Sequence, residues 1–170
     1  MIEPEVNIID NVLPVELCEE LIFKYQNFDR ADRTNRSRWN PTIVQHSTPV
    51  LVNDLNNYER SRVLEPLNNY LPQIYNFQFN AMFYRWTHHS YIPPHDDGHI
   101  DHALTIHLNR DYTTSEGGVF MYRLGSETDN WTGVEPLFNR VVHSSGRVEH
   151  WVTPVTSDRD RLSIQIFNIR

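Results

Sequence analysis

The sequence contains one cysteine, Cys18, in 170 residues. An internal disulfide framework and a paired-thiolate metal site are therefore both excluded. No apolar run approaches the roughly 20 residues of a membrane-spanning helix, so no membrane association is expected. A glycine-rich nucleotide loop and the serine-centred elbow of hydrolases are missing, as are internal repeats, low-complexity tracts and linker composition. Positive charge is in deficit: the formal net charge of −7 argues against a broad polyanion-binding face, and nucleic acid is not an expected partner. The acidic opening (Met1, Ile2, Glu3, Pro4, Glu5) has no basic segment, so no secretory leader is expected and cytoplasmic residence is the default. Without export the sequons at Asn35 and Asn130 carry no meaning.

What is present describes an ordinary globular chain, 39% hydrophobic and 22% charged, of a length suited to one domain. Its first third reads as helical. In residues 14–28, Leu17, Cys18, Leu21, Ile22 and Tyr25 recur at helical spacing, behind an acidic first turn with Glu16, Glu19 and Glu20. Cys18 belongs to that apolar stripe and reads as core. A second helical stretch covers residues 54–71, where Pro66 predicts a division into two shorter helices. From residue 77 the period changes to two. Alternating runs cover 77–84, 103–109, 119–122, 139–143 and 161–169, separated by turn-rich clusters at 111–118, 125–130 and 144–146. The expectation is a mainly β fold with N-terminal helices (α+β), a sandwich or jelly roll with helices packed on one face. Residues 1–75 form the helical support region and 76–170 the jelly-roll core.

Two strands have polar faces that need an explanation. Along 161–169, Leu162, Ile164 and Ile166 oppose Arg161, Ser163 and Gln165; from residue 103, Leu104, Ile106 and Leu108 oppose Thr105, His107 and Asn109. The polar faces could meet solvent. Arg161, Ser163 and His107 instead suit a carboxylate held inside the sandwich, with the apolar faces under the helices.

Histidine is the abundant functional residue, and all but His46 fall from His88 to His150. His95 and Asp97 are two apart, so on an extended segment they point the same way while Asp96 turns aside. With His150 from a distant strand they make two imidazoles and one carboxylate, a set that binds one face of Fe(II) and leaves positions for substrate chemistry. Zinc is the chemical competitor. His99 and Asp101 repeat the His-x-Asp pattern four residues later, and spacing alone does not choose between them. Arg30, Arg33, Arg36 and Arg38, ending at Trp39, form an arginine-rich stretch read as a solvated or substrate-contacting loop. His88, His89, His102 and His143 read as surface or core histidines, and His46 as a loop residue.

Five segments carry a family likeness: Tyr91-Ile92-Pro93-Pro94-His95-Asp96-Asp97, Leu104-Thr105-Ile106-His107-Leu108-Asn109, Glu116-Gly117-Gly118-Val119-Phe120, His150-Trp151-Val152-Thr153-Pro154-Val155 and Arg161-Leu162-Ser163-Ile164. Through them the chain resembles the iron(II)- and 2-oxoglutarate-dependent dioxygenases, specifically the small prolyl-4-hydroxylase-like branch, over residues 77–169 with a helical start over 7–25. The resemblance implies a double-stranded β-helix and hydroxylation of a substrate, prolyl residues of a peptide or protein first, with release of succinate and CO2. It implies Fe(II), 2-oxoglutarate and O2, with ascorbate supporting activity. It selects His95, Asp97 and His150 as metal ligands over His99 and Asp101. It also assigns Arg161 and Ser163 to the distal carboxylate of 2-oxoglutarate, with Arg159 a neighbouring rival. Two positions depart from the pattern, His107 and Trp86 standing where the family often has tyrosine. His107 can still donate a hydrogen bond to the co-substrate. The competing expectations are a non-catalytic jelly-roll module with a structural metal, and a cupin-like metalloenzyme using no 2-oxoglutarate.

Overall fold

The switch from helical to alternating periodicity becomes two antiparallel sheets with two helices against the larger one. A computed structural model describes residues 4–26, 50–74, 78–98, 100–125, 130–145 and 147–169. Arg30, Arg33, Arg36, Arg38, Trp39, His46 and His99 lie outside the described residues. In chain order the elements are β1 (Glu5–Asp10), α1 (Val15–Tyr25), β2 (Val50–Asp54), α2 (Asn57–Tyr70), β3 (Gln78–Trp86), β4 (Ile92–His95) and β5 (His102–His107). They continue as β6 (Phe120–Arg123), β7 (Thr132–Val134), β8 (Arg140–Ser145), β9 (Glu149–Val152) and β10 (Arg161–Ile169). The six-stranded sheet runs β1-β8-β5-β10-β3-β2 and the four-stranded sheet β4-β9-β6-β7. Mostly β with two helices and antiparallel throughout, this arrangement fits a jelly-roll type of fold.

The helices form for local reasons and stay for tertiary ones. In α1, Leu17, Cys18, Leu21 and Tyr25 bury one stripe, with Glu16 in the first turn and Lys24 in the last, each complementing the helix dipole. A reciprocal capping box opens α2: the Asn56 side chain accepts the Glu59 N–H and Glu59 accepts the Asn56 N–H, both at 2.9 Å. Glu59 also accepts the Tyr25 hydroxyl at 2.8 Å and pairs with Lys24, tying the second helix to the first. Pro66 does not divide α2, which runs through it. The proline withdraws one N–H from the ladder, but Pro66 and Arg62, whose carbonyl loses its partner, sit on the half-exposed flank. Val63 and Leu67 hold the buried face on either side of it.

β10 divides two apolar clusters. Leu162, Ile164 and Ile166 pack with Leu17, Leu21, Val63 and Leu67 on the helix side. Between the sheets lie Val52, Met82, Tyr84, Trp86, Phe120 and Val152. Each Leu or Ile taken fully out of water contributes roughly 1.5–3 kcal/mol, so the helix side fixes which face of β10 turns inward. Arg161, Ser163 and Gln165 are thereby committed to the space between the sheets, all of them buried.

Several expected boundaries move. Residues 7–10 belong to β1, which pairs with β8 from Glu5↔Ser145 to Asp10↔Arg140, and the first helix starts only at Val15. The same pairing carries β8 through Ser144 and Ser145, where a turn was expected. β2 gave no alternating signal because four of its five residues are buried. A strand covered on both faces reads as a plain apolar run.

Candidate metal centre

β4 and β9 pair with His95 opposite His150, which brings the two imidazoles together on one side of the smaller sheet. Pro93 and Pro94 have no N–H to donate, and they fall on an edge strand whose register shifts between Ile92 and His95. The distortion carries the chain out of the sheet to Asp97. Asp96 turns aside as expected, its Oδ1 accepting the Gly98 N–H at 2.9 Å.

The ligand atoms of His95, Asp97 and His150 lie within 4.8 Å of one another, the one such cluster among the described residues. Nε2 of His95 is 3.7 Å from Asp97 Oδ1, and Nε2 of His150 is 3.7 Å from Asp97 Oδ2. Ligands about 2.1 Å from one ion, at right to tetrahedral angles, sit roughly 3.0–3.4 Å apart, so a slight contraction suffices. The far nitrogens set the tautomer. His95 Nδ1 lies 2.8 Å from the Pro93 carbonyl and His150 Nδ1 lies 2.9 Å from that of Val148. Each Nδ1–H therefore donates to backbone and each Nε2 presents a lone pair toward Asp97. Phe120 stacks on His150 with centroids 5.3 Å apart, fixing that ring. Burial, with the neighbouring His150 as a second cause, pushes the His95 pKa down and favours the neutral, metal-binding form.

In the larger sheet, on β10, stands a buried cation. Arg161 is 1% exposed, and none of its three guanidinium nitrogens has a hydrogen-bond partner. Its guanidinium lies 5.0 Å over the ring of Trp86, the residue opposite it on β3. Burial pushes its pKa down to about 10. His107 is equally buried and both its ring nitrogens lack partners; burial and then the Arg161 charge hold its pKa well below the ordinary value. It faces Ser163 directly across the β5–β10 pair. Unpaired buried donors around one point are costly unless something anionic joins them. Arg159, the rival, is instead a surface residue bonded to Glu116 at 2.9 Å.

No family model and no curated protein matches the sequence. Solved structures do match the fold. A prolyl-4-hydroxylase from Pseudomonas putida superposes with a TM-score of 0.76 at 20% identity, over 97% of this chain and 92% of that one. A Trichoplax adhaerens prolyl hydroxylase, solved with a peptide fragment of the hypoxia inducible factor oxygen degradation domain, gives 0.76 at 12% identity, over 96% and 83%. HygX from Streptomyces hygroscopicus, with nickel and 2-oxoglutarate bound, gives 0.64 at 14% identity, over 96% and 82%. The fold is that of the 2-oxoglutarate/iron(II) oxygenases.

On this fold, sequence reasoning had named the two imidazoles, the carboxylate and the arginine, and the structure brings His95, Asp97 and His150 together, with Arg161 on β10 of the other sheet. It had not given roles to the residues that make room. Gly118 has φ +62, and a Cβ there would come 2.4 Å from Arg161 Cδ. Gly117 has φ +74, and its Cβ would strike the Pro154 carbonyl oxygen at 2.0 Å. Gly118 is thus the notch beside which the arginine passes, and Gly117 lets the backbone run close against Pro154 and Thr156. Thr105 and Gln165 line the metal-side cavity along with Tyr84, Trp86, His95 and His150. The alternation on β5 and β10 had already put both on the inward face. The remaining histidines divide: His88 and His89 are exposed, and His102 and His143 are buried with Nδ1 and Nε2 3.0 Å apart.

Proposed function

We propose that the protein is an iron(II)- and 2-oxoglutarate-dependent dioxygenase that hydroxylates prolyl residues of a peptide or protein. One observation carries the reading: a neutral-histidine and carboxylate cluster lines the cavity between the sheets, and behind Trp86, which lines the same cavity, lies a buried, unpartnered guanidinium. A structural-metal module would need the first and has no use for the second. The donor set fits the group the fold implies, since imidazole and carboxylate suit Fe(II) and a planar guanidinium suits a carboxylate even when desolvated.

His95, Asp97 and His150 would hold Fe(II), and Arg161, Ser163 and His107 would take the distal carboxylate of 2-oxoglutarate. When bound, the iron and keto acid supply the oxidising chemistry, in which O2 converts 2-oxoglutarate to succinate and CO2 as the substrate is hydroxylated. The chain's own part is binding, orientation and exclusion of water. Tyr84, Phe120, Val152 and Phe167 line the cavity between the sheets with apolar surface, which strengthens every charge contact made inside it. The cavity between the sheets has an open volume of about 40 Å³, less than a five-carbon diacid occupies. The prolyl assignment follows the prolyl hydroxylases that share the fold, one of them solved with a peptide. On this reading the chain acts as one domain, a cytoplasmic enzyme with a peptide or protein as its substrate.

The test is succinate release from protein incubated in air with Fe(II), ascorbate, 2-oxoglutarate and proline-bearing peptides. Turnover that rises with a peptide and vanishes in His95→Ala and Asp97→Ala is the expected result. Succinate no higher in the parent protein than in those variants would refute the reading.

A further inference from the structure

The inward face of the β5–β10–β3 region carries a chain of side-chain hydrogen bonds that runs from the metal wall to the carboxylate wall. The Thr105 hydroxyl donates to Gln165 Oε1 at 2.8 Å. The other end of that amide, Nε2, donates to Ser163 Oγ at 3.2 Å. From the opposite strand the Trp86 indole N–H donates to the same oxygen at 3.1 Å. All four side chains are buried. A serine oxygen has two acceptor lone pairs and one proton. Two donors fill the lone pairs of Ser163, so its hydroxyl can act only as a donor. The neighbouring Arg161 guanidinium cannot accept that proton, and neither ring nitrogen of His107 across the β5–β10 pair bonds to it, so the proton is available to an incoming anion.

We propose that Thr105, Gln165 and Trp86 are positioning residues that hold the Ser163 hydroxyl as a hydrogen-bond donor beside Arg161, tuning the site to a keto acid with a second, distal carboxylate. Thr105 orients the amide: with its proton on Oε1, the nitrogen end of Gln165 must face Ser163. Without that hydroxyl the amide can turn over and present Oε1 to Ser163, which then spends its proton on the glutamine instead. Trp86 acts twice, through its N–H on Ser163 and through its ring under Arg161, 5.0 Å from the guanidinium. Thr105 is therefore the cleaner position to alter. The inference rests on the proposed binding of 2-oxoglutarate, and its test separates the two.

The experiment measures binding rather than turnover. Titration calorimetry without oxygen, on protein loaded with Mn(II), compares 2-oxoglutarate with 2-oxopentanoate, which has the same carbon chain and no distal carboxylate. Thr105→Val keeps the β-branched shape on its strand, and Thr105→Ser restores the hydroxyl. The expected result is a loss of roughly five- to tenfold in 2-oxoglutarate affinity in Thr105→Val, the size of one net hydrogen bond. Affinity for 2-oxopentanoate should stay unchanged and Thr105→Ser should recover the parent value. Gln165→Leu, which removes the amide altogether, should show the same selective loss. Equal losses for both keto acids, or parent-like 2-oxoglutarate affinity in Thr105→Val, would overturn the relay while leaving the co-substrate assignment standing. A parent protein that binds neither keto acid would take down both.

Discussion

Replacing Arg161 by methionine should make the protein more stable while removing its affinity for 2-oxoglutarate. The guanidinium is buried without a hydrogen-bond partner, and burial brings its pKa from the ordinary guanidinium range down to about 10. At about 1.36 kcal/mol for each pKa unit, that displacement corresponds to a penalty of about 3 kcal/mol on the charged form in the folded state. The folded protein releases this proton more readily than the unfolded chain, so the penalty is present in full below pH 10 and relieved only as pH rises from about 10 toward the ordinary guanidinium range. At neutral pH the whole penalty acts. Methionine keeps an unbranched apolar stem against Gly118 and Trp86 and removes the charge, as in other buried ion sites that tolerate apolar replacement. What it gives up is the cation–π contact with Trp86, worth about 2 kcal/mol when desolvated. The net gain of about 1 kcal/mol should raise Tm by roughly 2–4 °C in a domain of this size. Thermal unfolding followed by circular dichroism, with and without millimolar 2-oxoglutarate, measures both halves. The ligand should raise the parent's Tm by mass action and leave that of Arg161→Met unmoved. A fall of several degrees in ligand-free Arg161→Met would refute the reasoning, since the guanidinium would then be engaged in a stabilising contact.

Two further tests address the scaffold. Glu59→Ala removes the capping box of α2 and its ties to Tyr25 and Lys24; a loss of roughly 2–4 kcal/mol is expected in urea unfolding, and a loss under 1 kcal/mol would show that the helices are held by apolar packing alone. His143 is fully buried and its pKa is pushed down to about 4 by burial first and the adjacent His102 second. The unfolded chain takes up this proton near pH 6.5 and the folded one only near 4, so stability should fall by up to about 3 kcal/mol as pH drops across that window. In His143→Gln the decline between pH 6.5 and 4 should be shallower in the same unfolding series; an identical slope would mean that other groups carry the acid sensitivity.

How far the sequence could be read depended on whether a residue's role was local. The inward face of β10 was legible because alternation is enforced by the backbone: once Leu162, Ile164 and Ile166 face the helices, Arg161, Ser163 and Gln165 have nowhere else to point. Pairing two residues apart likewise placed His95 and Asp97 together. β1 and β2 were not legible. β1 is an edge strand with a half-exposed, mixed pattern, and β2 is buried on both faces, so neither shows a clean period of two. The continuation of α2 through Pro66 was also hidden, because tertiary burial of Val63 and Leu67 overrides a local breaker. Gly118 needed three dimensions, since its crowding comes from Arg161, far along the chain. The same holds for the Thr105–Gln165–Ser163–Trp86 chain, whose members come from three strands and whose meaning depends on which atom donates.

On the proposed function, the metal residues and Arg161 face opposite electrostatic problems, one met by backbone carbonyls and the other by outer ion pairs. On β4 and β9, imidazoles must stay neutral to receive a cation, so each Nδ1 proton is tied to a carbonyl two residues earlier on its own chain, at Pro93 and at Val148. On β10 a cation must stay charged to receive an anion, yet among the described residues no carboxylate bonds to its guanidinium. Had Asp160 turned inward it would have neutralised Arg161 and closed the site. Instead Asp160 is engaged at 2.6 Å by Arg85, and Glu116 by Arg159. Those outer ion pairs are worth little to stability where they are exposed. Their consequence is local: they occupy Asp160, next to Arg161 in the chain, and Glu116, beside the Gly117-Gly118 pair, and leave Arg161 for a ligand. If that is their role, Arg85→Ala should weaken 2-oxoglutarate binding with little change in Tm, because it frees Asp160 to compete. Unchanged affinity in Arg85→Ala would show that strand geometry alone keeps the acid outside.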